Sequence, residues 1–279
     1  MPNFRIGSQI PLNDASRMPA LGIGTWQLRG RACEDAVFHA IEKGYRMVDT
    51  ASAYRNEAQV GKAIGKAINE LGLERNDIFV ITKICNDEHD DPRRALKGSL
   101  QRLGLDHVNL YLIHWPVSRS IDTWETMGEF VQEGLASSIG VSNFTITHLE
   151  TLSKNSRVVP AVNQVEFSPF LYQKELLDYC RGKMIQLVSY SPLMRGHNLG
   201  NKTLTAIAKK HNKTPAQIVL RWNIDLGIIP IPKSKDFERI DENADIFDFE
   251  LTGKEVKRLG ELSNGTRYCQ DPELMMWEQ

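Results

Sequence analysis

Four side chains spread over the first half of the sequence, Asp49, Tyr54, Lys83 and His114, have the types that carbonyl reduction needs. Hydride arriving at a carbonyl carbon leaves negative charge on oxygen, which then needs a proton and electrostatic support. A tyrosine hydroxyl can give that proton, but its ordinary pKa of about 10 makes it a sluggish acid near neutrality. A neighbouring ammonium favours phenolate and lowers the pKa. Lys83 suits this task, Asp49 suits holding the lysine, and His114 suits a hydrogen bond that orients the carbonyl oxygen. Taken singly, each has a plainer reading as a structural ion pair, a satisfied buried histidine or a packed tyrosine. Imine formation on Lys83 is a rival chemistry, but it wants a lysine without a permanent carboxylate partner, and Asp49 argues against it.

These residues matter together only if the chain brings them to one place. Short apolar runs alternate with amphipathic stretches along its length. Met47-Val48 leads to Asp49, Ile78 through Ile81 leads to Lys83, and Val108 through Ile113 leads to His114. Further runs are Ala20 to Gly24, Ser138 to Val141, Ala161 to Val165, Ile185 to Tyr190 and Gly227 to Ile231. Near-continuous apolar runs of this length mark parallel strands buried on both faces. Between them, Val60, Ile64, Ala67 and Ile68 recur at helical spacing, and Asp91-Pro92 and Thr214-Pro215 read as capped helix starts. About eight strand–helix units fit an α/β fold of one (β/α)8 TIM barrel, with a doubly wound sheet as the alternative. In a barrel the catalytic groups gather where strands end, so Asp49, Tyr54, Lys83 and His114 would meet there. Turn signals at Gly7-Ser8 and Asn13-Asp14 predict an N-terminal hairpin cap.

Composition narrows the partners. The 279 residues carry 34 Lys and Arg against 35 Asp and Glu, for a formal charge of -1, which argues against a nucleic-acid partner or a polybasic membrane anchor. No apolar stretch approaches the roughly 18 residues of a membrane span. Cys33, Cys85, Cys180 and Cys269 are far apart and form no disulfide framework or Cys-x-x-Cys pair, so a cytoplasmic protein with reduced thiols is expected. No linker or low-complexity tract interrupts the chain, and residues 1–279 read as a single domain with a short tail. The early Gly22-Ile23-Gly24 is a poor dinucleotide fingerprint, because the third glycine position holds Gln27. A dinucleotide would have to bind by another route.

The segment Gly44-Tyr45-Arg46-Met47-Val48-Asp49-Thr50-Ala51-Ser52-Ala53-Tyr54-Arg55-Asn56-Glu57 resembles the first signature of the aldo-keto reductase family. The resemblance extends from Gly22-Ile23-Gly24-Thr25-Trp26 to Asn243, through Leu112-Ile113-His114-Trp115-Pro116, Gly140-Val141-Ser142-Asn143-Phe144, Ser189-Tyr190-Ser191-Pro192-Leu193 and Ile231-Pro232-Lys233-Ser234. Among subgroups the chain is most similar to short prokaryotic members, which include 2,5-diketogluconate reductases.

This resemblance implies a (β/α)8 barrel that reduces a small-molecule aldehyde or ketone with NADPH and without a metal, as a monomer. By its motifs Tyr54 is the acid, Asp49 and Lys83 tune it, and His114 orients the substrate. The cofactor set includes Thr25, with Ser142, Asn143 and Gln164 for the nicotinamide carboxamide and Tyr190 for stacking on its ring. Ser191 and Leu193 fall near the pyrophosphate. Lys233, Ser234 and Arg239 match the adenosine 2′-phosphate site, and Glu242 with Asn243 the adenine contacts, favouring NADP over NAD although Asp236 and Glu238 lie close by. Trp26 and Trp115 are expected walls of the substrate pocket. Two departures stand out: Cys85 replaces a tryptophan common in relatives and is read as pocket-lining, and the tail after Asn264 is too short to promise many substrate contacts. The alternative function is an NADPH-binding sensor or partner-binding barrel with little turnover.

Overall fold

The computed structural model describes residues 5–274. The chain opens with an antiparallel hairpin of β1 (Gln9–Pro11) and β2 (Arg17–Pro19), paired through Ile10 and Met18. Eight parallel strands follow in unbroken order: β3 (Ile23–Gly24), β4 (Met47–Asp49), β5 (Phe79–Ile84), β6 (Val108–Ile113), β7 (Ala136–Ser142), β8 (Val162–Glu166), β9 (Gln186–Tyr190) and β10 (Ile229–Pro230). Helices α1 (Gly30–Glu42), α2 (Glu57–Leu71), α3 (Pro92–Leu103), α4 (Ser120–Gln132), α5 (Ile146–Asn155) and α6 (Lys174–Gly182) each follow a strand. Two helices, α7 (Lys202–His211) and α8 (Pro215–Asp225), share the return from β9 to β10, and α9 (Phe237–Ala244) and α10 (Gly253–Gly260) complete the shell. None of the helices among the described residues is long and apolar enough to cross a membrane.

The two outer strands close on each other. Gly22 N–H donates to the Pro230 carbonyl at 3.2 Å and Gly24 N–H to the Pro232 carbonyl at 3.0 Å, which turns the sheet into a barrel. A side chain on Gly24 would stand 2.9 Å from the Ile231 carbonyl oxygen, and one on Gly22 would stand 2.6 Å from Met47 Cε. The Gly-x-Gly pair is therefore the seam of the barrel. Of the expected Ala20–Gly24 run, Ile23–Gly24 is regular strand.

Two cores follow from the strand alternation. Inward residues Met47, Phe79, Ile81, Leu110, Leu112, Val162, Val188, Ile229 and Ile231 fill the barrel, and Leu12 and Met18 of the hairpin plug its lower end. Outward residues pack on helix faces such as Val60, Ala63, Ile64 and Ala67 of α2. The caps form as their residue types dictate. Asp91 accepts the Arg94 N–H ahead of Pro92, and Thr214 and Gln217 make a reciprocal capping box ahead of Pro215.

Because a Gly24 substituent meets backbone rather than a flexible side chain, Gly24→Ala should cost about 1–3 kcal/mol in equilibrium urea unfolding. Gly22→Ala should cost less, since the Met47 thioether tip can move. Equal costs would show that the seam is not the constraint.

Candidate active site

The upper end of the barrel holds a buried charge network. Asp49 ends β4 and Lys83 lies within β5, two residues beyond Ile81, the partner of Asp49 in the sheet register. Side chains two apart share a face of a strand, so the lysine reaches back to the carboxylate inside the barrel. Lys83 Nζ donates to Asp49 Oδ1 at 2.8 Å and Oδ2 at 2.7 Å, and to the Thr50 carbonyl at 2.8 Å. Gln164 Nε2 donates to Asp49 Oδ2 at 2.7 Å from the opposite wall. Burial pulls the ammonium below its ordinary pKa, and Asp49 pulls it back.

Tyr54 sits above this pair on a short 3-10 turn, Ser52–Tyr54, that ends at Arg55 in the left-handed region with φ 55°. Ser52 Oγ donates to Glu88 at 2.5 Å, and Glu88 also accepts the Cys85 N–H at 2.9 Å. Asn56 holds the other side of the turn. Its amide donates to the Thr25 and Leu28 carbonyls at 2.8 and 3.0 Å and accepts the Thr50 hydroxyl at 2.7 Å. Glu57 is equally buried, taking Thr82 Oγ1 and Arg102 Nε at 2.6 Å each. Asn56 and Glu57 stand in the sequence signature, but the reason for them, fixing a strained turn, shows only in three dimensions.

The Lys83 ammonium also reaches Tyr54, at a longer distance. An ammonium has three N–H donors, and Lys83 shares them among Asp49, Thr50 and Tyr54. Lys83 Nζ donates to Tyr54 Oη at 3.5 Å, with the ammonium 4.9 Å from the ring centroid. Burial, then Asp49, Tyr190 and Cys269, hold the phenol well above its ordinary pKa. The His114 ring meets the Tyr54 ring edge-on at 5.5 Å. Burial and the charge of Lys83 push the His114 pKa down to about 3, so the imidazole is neutral.

A cavity of about 850 Å³ runs from these groups along the same rim of the barrel. Asp49, Tyr54, His114, Trp26, Trp115, Ser142, Asn143, Gln164, Tyr190, Ser191 and Leu193 line its near part, and Lys233, Ser234, Arg239, Glu242 and Asn243 its far part. The near-part amides are already engaged: Asn143 Nδ2 donates to the His114 carbonyl at 2.9 Å, and Asn143 Oδ1 accepts the Tyr190 hydroxyl at 2.6 Å. Ser142 Oγ donates to the Gln164 carbonyl at 2.8 Å. At the far end Asp236, whose charge counted against a phosphate there, caps α9 by accepting the Arg239 N–H. Lys233 has its pKa lowered by burial and by the charges of Lys235 and Arg195.

Three expectations about the lining do not hold. Thr25 is fully buried, with its hydroxyl donated to the Asp49 carbonyl at 2.9 Å, and does not line the cavity. Cys85 does not line it either, because its loop folds onto Glu88. Conversely the short tail does reach the site, through Cys269 and Gln270. Arg195 is a further lining residue outside the expected set, stacked over Trp26 at 4.5 Å. Nothing local in the sequence marks Cys269 or Arg195, since both are placed by contacts between distant segments.

A closed (β/α)8 barrel with Tyr54 and His114 over a buried Asp49–Lys83 pair, in a cavity also lined by Lys233 and Arg239, has the architecture of a barrel oxidoreductase. The aldo/keto reductase family profile matches residues 20–264, and the chain belongs to that family. It is 42% identical over 272 residues to a glyoxal reductase of Bacillus subtilis, covering 96% of this chain and 97% of that protein. To a methylglyoxal reductase of Escherichia coli it is 42% identical over 269 residues, covering 95% and 96%. Among solved structures, a Bombyx mori aldo-keto reductase in complex with NADP superposes with a TM-score of 0.90 at 38% identity, covering 95% of this chain and 96% of that one. A Brucella melitensis aldo/keto reductase gives 0.87 at 43% identity, covering 92% and 99%.

Removing one partner of the buried pair leaves an uncompensated charge. Lys83→Met should therefore lower unfolding stability by about 3–5 kcal/mol, and adding Asp49→Asn should recover a large part of the loss. A double variant no more stable than the single one, by urea titration, would rule out the pair as the source of the cost.

Proposed function

We infer that this chain reduces the carbonyl group of small aldehydes and ketones to an alcohol, with NADPH as hydride donor and Tyr54 as proton donor. One observation carries the reading. Tyr54 and His114 stand over the Asp49–Lys83 pair at one end of the cavity whose other end is lined by Lys233, Ser234 and Arg239.

The donor set fits the cofactor from end to end. Ser142, Asn143 and Gln164 would face the nicotinamide carboxamide, which both donates and accepts, and Tyr190 would flank its ring. Ser191 and Leu193 would follow the diphosphate. Lys233, Ser234 and Arg239 would take the 2′-phosphate, where a crowd of cations is relieved by an anion. Glu242, which accepts the Thr214 hydroxyl at 2.6 Å, and Asn243 would meet the adenine. When bound, the nicotinamide supplies the hydride. The residues of this chain do the rest.

His114, neutral and fixed beside Tyr54, donates to the substrate oxygen and aims it. Tyr54 keeps its proton until charge develops on that oxygen, then passes it across. Lys83, close to Tyr54 Oη, stabilises the phenolate left behind, and Asp49 with Gln164 keeps the lysine from drifting. Burial of the Asp49–Lys83 pair strengthens these interactions. Trp26 and Trp115 wall the carbonyl end. A Lys83 imine is disfavoured by the bidentate Asp49 contact. The four cysteines are free, in keeping with a reducing cytoplasm. A single domain supplies the whole constellation, in keeping with a monomer.

Tyr54→Phe should lower kcat for carbonyl reduction by about 10²–10⁴-fold while NADPH affinity stays nearly unchanged. Near-normal turnover would overturn the proton-donor role. With His114 pushed down to about 3 and Tyr54 well above its ordinary value, kcat for reduction should be flat between about pH 5 and 9. Alcohol oxidation, which needs the phenolate, should instead rise with pH, and a reductive rate that climbs toward alkaline pH would contradict the assignment. Arg239→Ala should weaken NADPH binding at least about tenfold more than NADH binding in fluorescence titrations, and equal losses would misplace the phosphate.

A further inference from the structure

Glu166 is a buried carboxylate outside the proton chemistry above, only 2% exposed. It stands on β8 two residues after Gln164, on the same face and one layer nearer the mouth, beside Tyr190 in the register. Oε1 accepts the Tyr268 N–H at 2.7 Å and Oε2 the Cys269 N–H at 3.2 Å. Burial pushes its carboxyl above the ordinary pKa, opposed by these two N–H donors and by the charges of Arg267 and Arg195. Such a group is retained only where its hydrogen bonds are needed to offset desolvation.

From Glu166 the contacts run on around the mouth. Tyr268 stacks on His197 at 5.2 Å, and its hydroxyl accepts Asn198 Nδ2 at 2.7 Å. Cys269 Sγ accepts Arg195 Nη2 at 3.1 Å and lies 3.7 Å from Ser191 Oγ. Arg195 then lies over the ring of Trp26, another residue lining the cavity. The loop so held is strained, with Ser191 at φ 48° and Met194 and Arg195 at 54°. Non-glycine residues stay in that region only where surrounding contacts over-determine them.

We propose that Glu166 is a positioning residue whose carboxylate anchors the C-terminal segment, and that through Tyr268 and Cys269 this segment holds the Ser191–Asn198 loop in the shape that grips the dinucleotide. The inference rests on the NADPH reading above. It differs from that reading in locating part of the cofactor affinity in Glu166 and Tyr268, which do not line the cavity.

Two variants of the full chain test it, Glu166→Gln, which sets a donor against an N–H, and Tyr268→Leu, which removes the stacking and the Asn198 bond. Both should raise the NADPH dissociation constant roughly tenfold in fluorescence titrations, the scale expected for a buried group left unpaired. The single-turnover hydride-transfer rate of Tyr268→Leu at saturating NADPH should stay within about twofold of the parent. Unchanged affinity in Glu166→Gln, or a loss confined to that variant, overturns the proposal. So does a fall in melting temperature with affinity intact, which marks a merely structural role. If Glu166→Gln does not fold, unchanged affinity in Tyr268→Leu alone overturns it. A parent chain that binds no NADPH sinks the cofactor reading and this inference together. One that binds NADPH, shows the variant pattern and transfers no hydride sinks only the reductase reading.

Discussion

Everything at the upper end of the barrel depends on a buried carboxylate that is never allowed to be alone. Asp49 is 2% exposed and meets a fully buried Lys83 with both of its oxygens. Taking both charges out of water is a large penalty, repaid only by excellent geometry and by partners for the remaining lone pairs and protons. The fold meets both conditions. Sheet register brings the lysine under the carboxylate, Gln164 crosses the barrel to a second lone pair, and Thr50 takes the third ammonium proton. A network so fully satisfied is rigid, and its rigidity fixes the height at which Tyr54 and His114 stand.

That same saturation changes how the acid works. A lysine free to bond the phenol would stabilise phenolate in the resting state and leave less of the acid form. Here the lysine is shared, with short bonds to Asp49 and Thr50 and a longer one to Tyr54, while burial holds the phenol well above its ordinary pKa. The site thus reserves its positive charge for the moment when negative charge arrives, which is the condition for stabilising a transition state more than a ground state. His114 follows the same logic. It sits near an ammonium in a low-dielectric setting, so it is neutral and acts as a hydrogen-bond donor rather than as a competing acid.

Much of this is legible in the sequence because it is local. Apolar runs ending in Asp49 and His114 give strand positions to within a residue or two, and Asp91-Pro92 and Thr214-Pro215 give helix starts. Lys83 is a small miss that matters: it lies within β5 rather than after it, which is how it reaches back to Asp49 while keeping a longer contact with Tyr54. Gly22-Ile23-Gly24 resembles a truncated nucleotide motif, yet its glycines serve close backbone approach at the seam. Glu166 is in principle foreseeable from strand alternation, two residues beyond Gln164. Arg195, Cys269 and Gln270 are not, since they meet only because the tail returns across the barrel. Thr25 and Cys85 fail for the converse reason. They neighbour the site in sequence, but hydrogen bonds turn them away from the cavity.

The two ends of the cavity are built to different standards, and the reason lies in what each must do. The chemical end rests on the buried Asp49–Lys83 pair on β4 and β5, with Tyr54 and His114 held just beyond strand ends, because hydride and proton transfer demand fixed distances. The gripping end is built from exposed cations on the segments after β10 and from a strained loop after β9 tied down by the tail. A long polyanion can enter only if some part of its site can open, and surface segments held by a few polar contacts open at far lower free energy than strands do. Tying that loop to Glu166 brings its mobility under the control of the barrel core. Rigidity is thereby lent to the one region that would otherwise be too loose to hold what it binds.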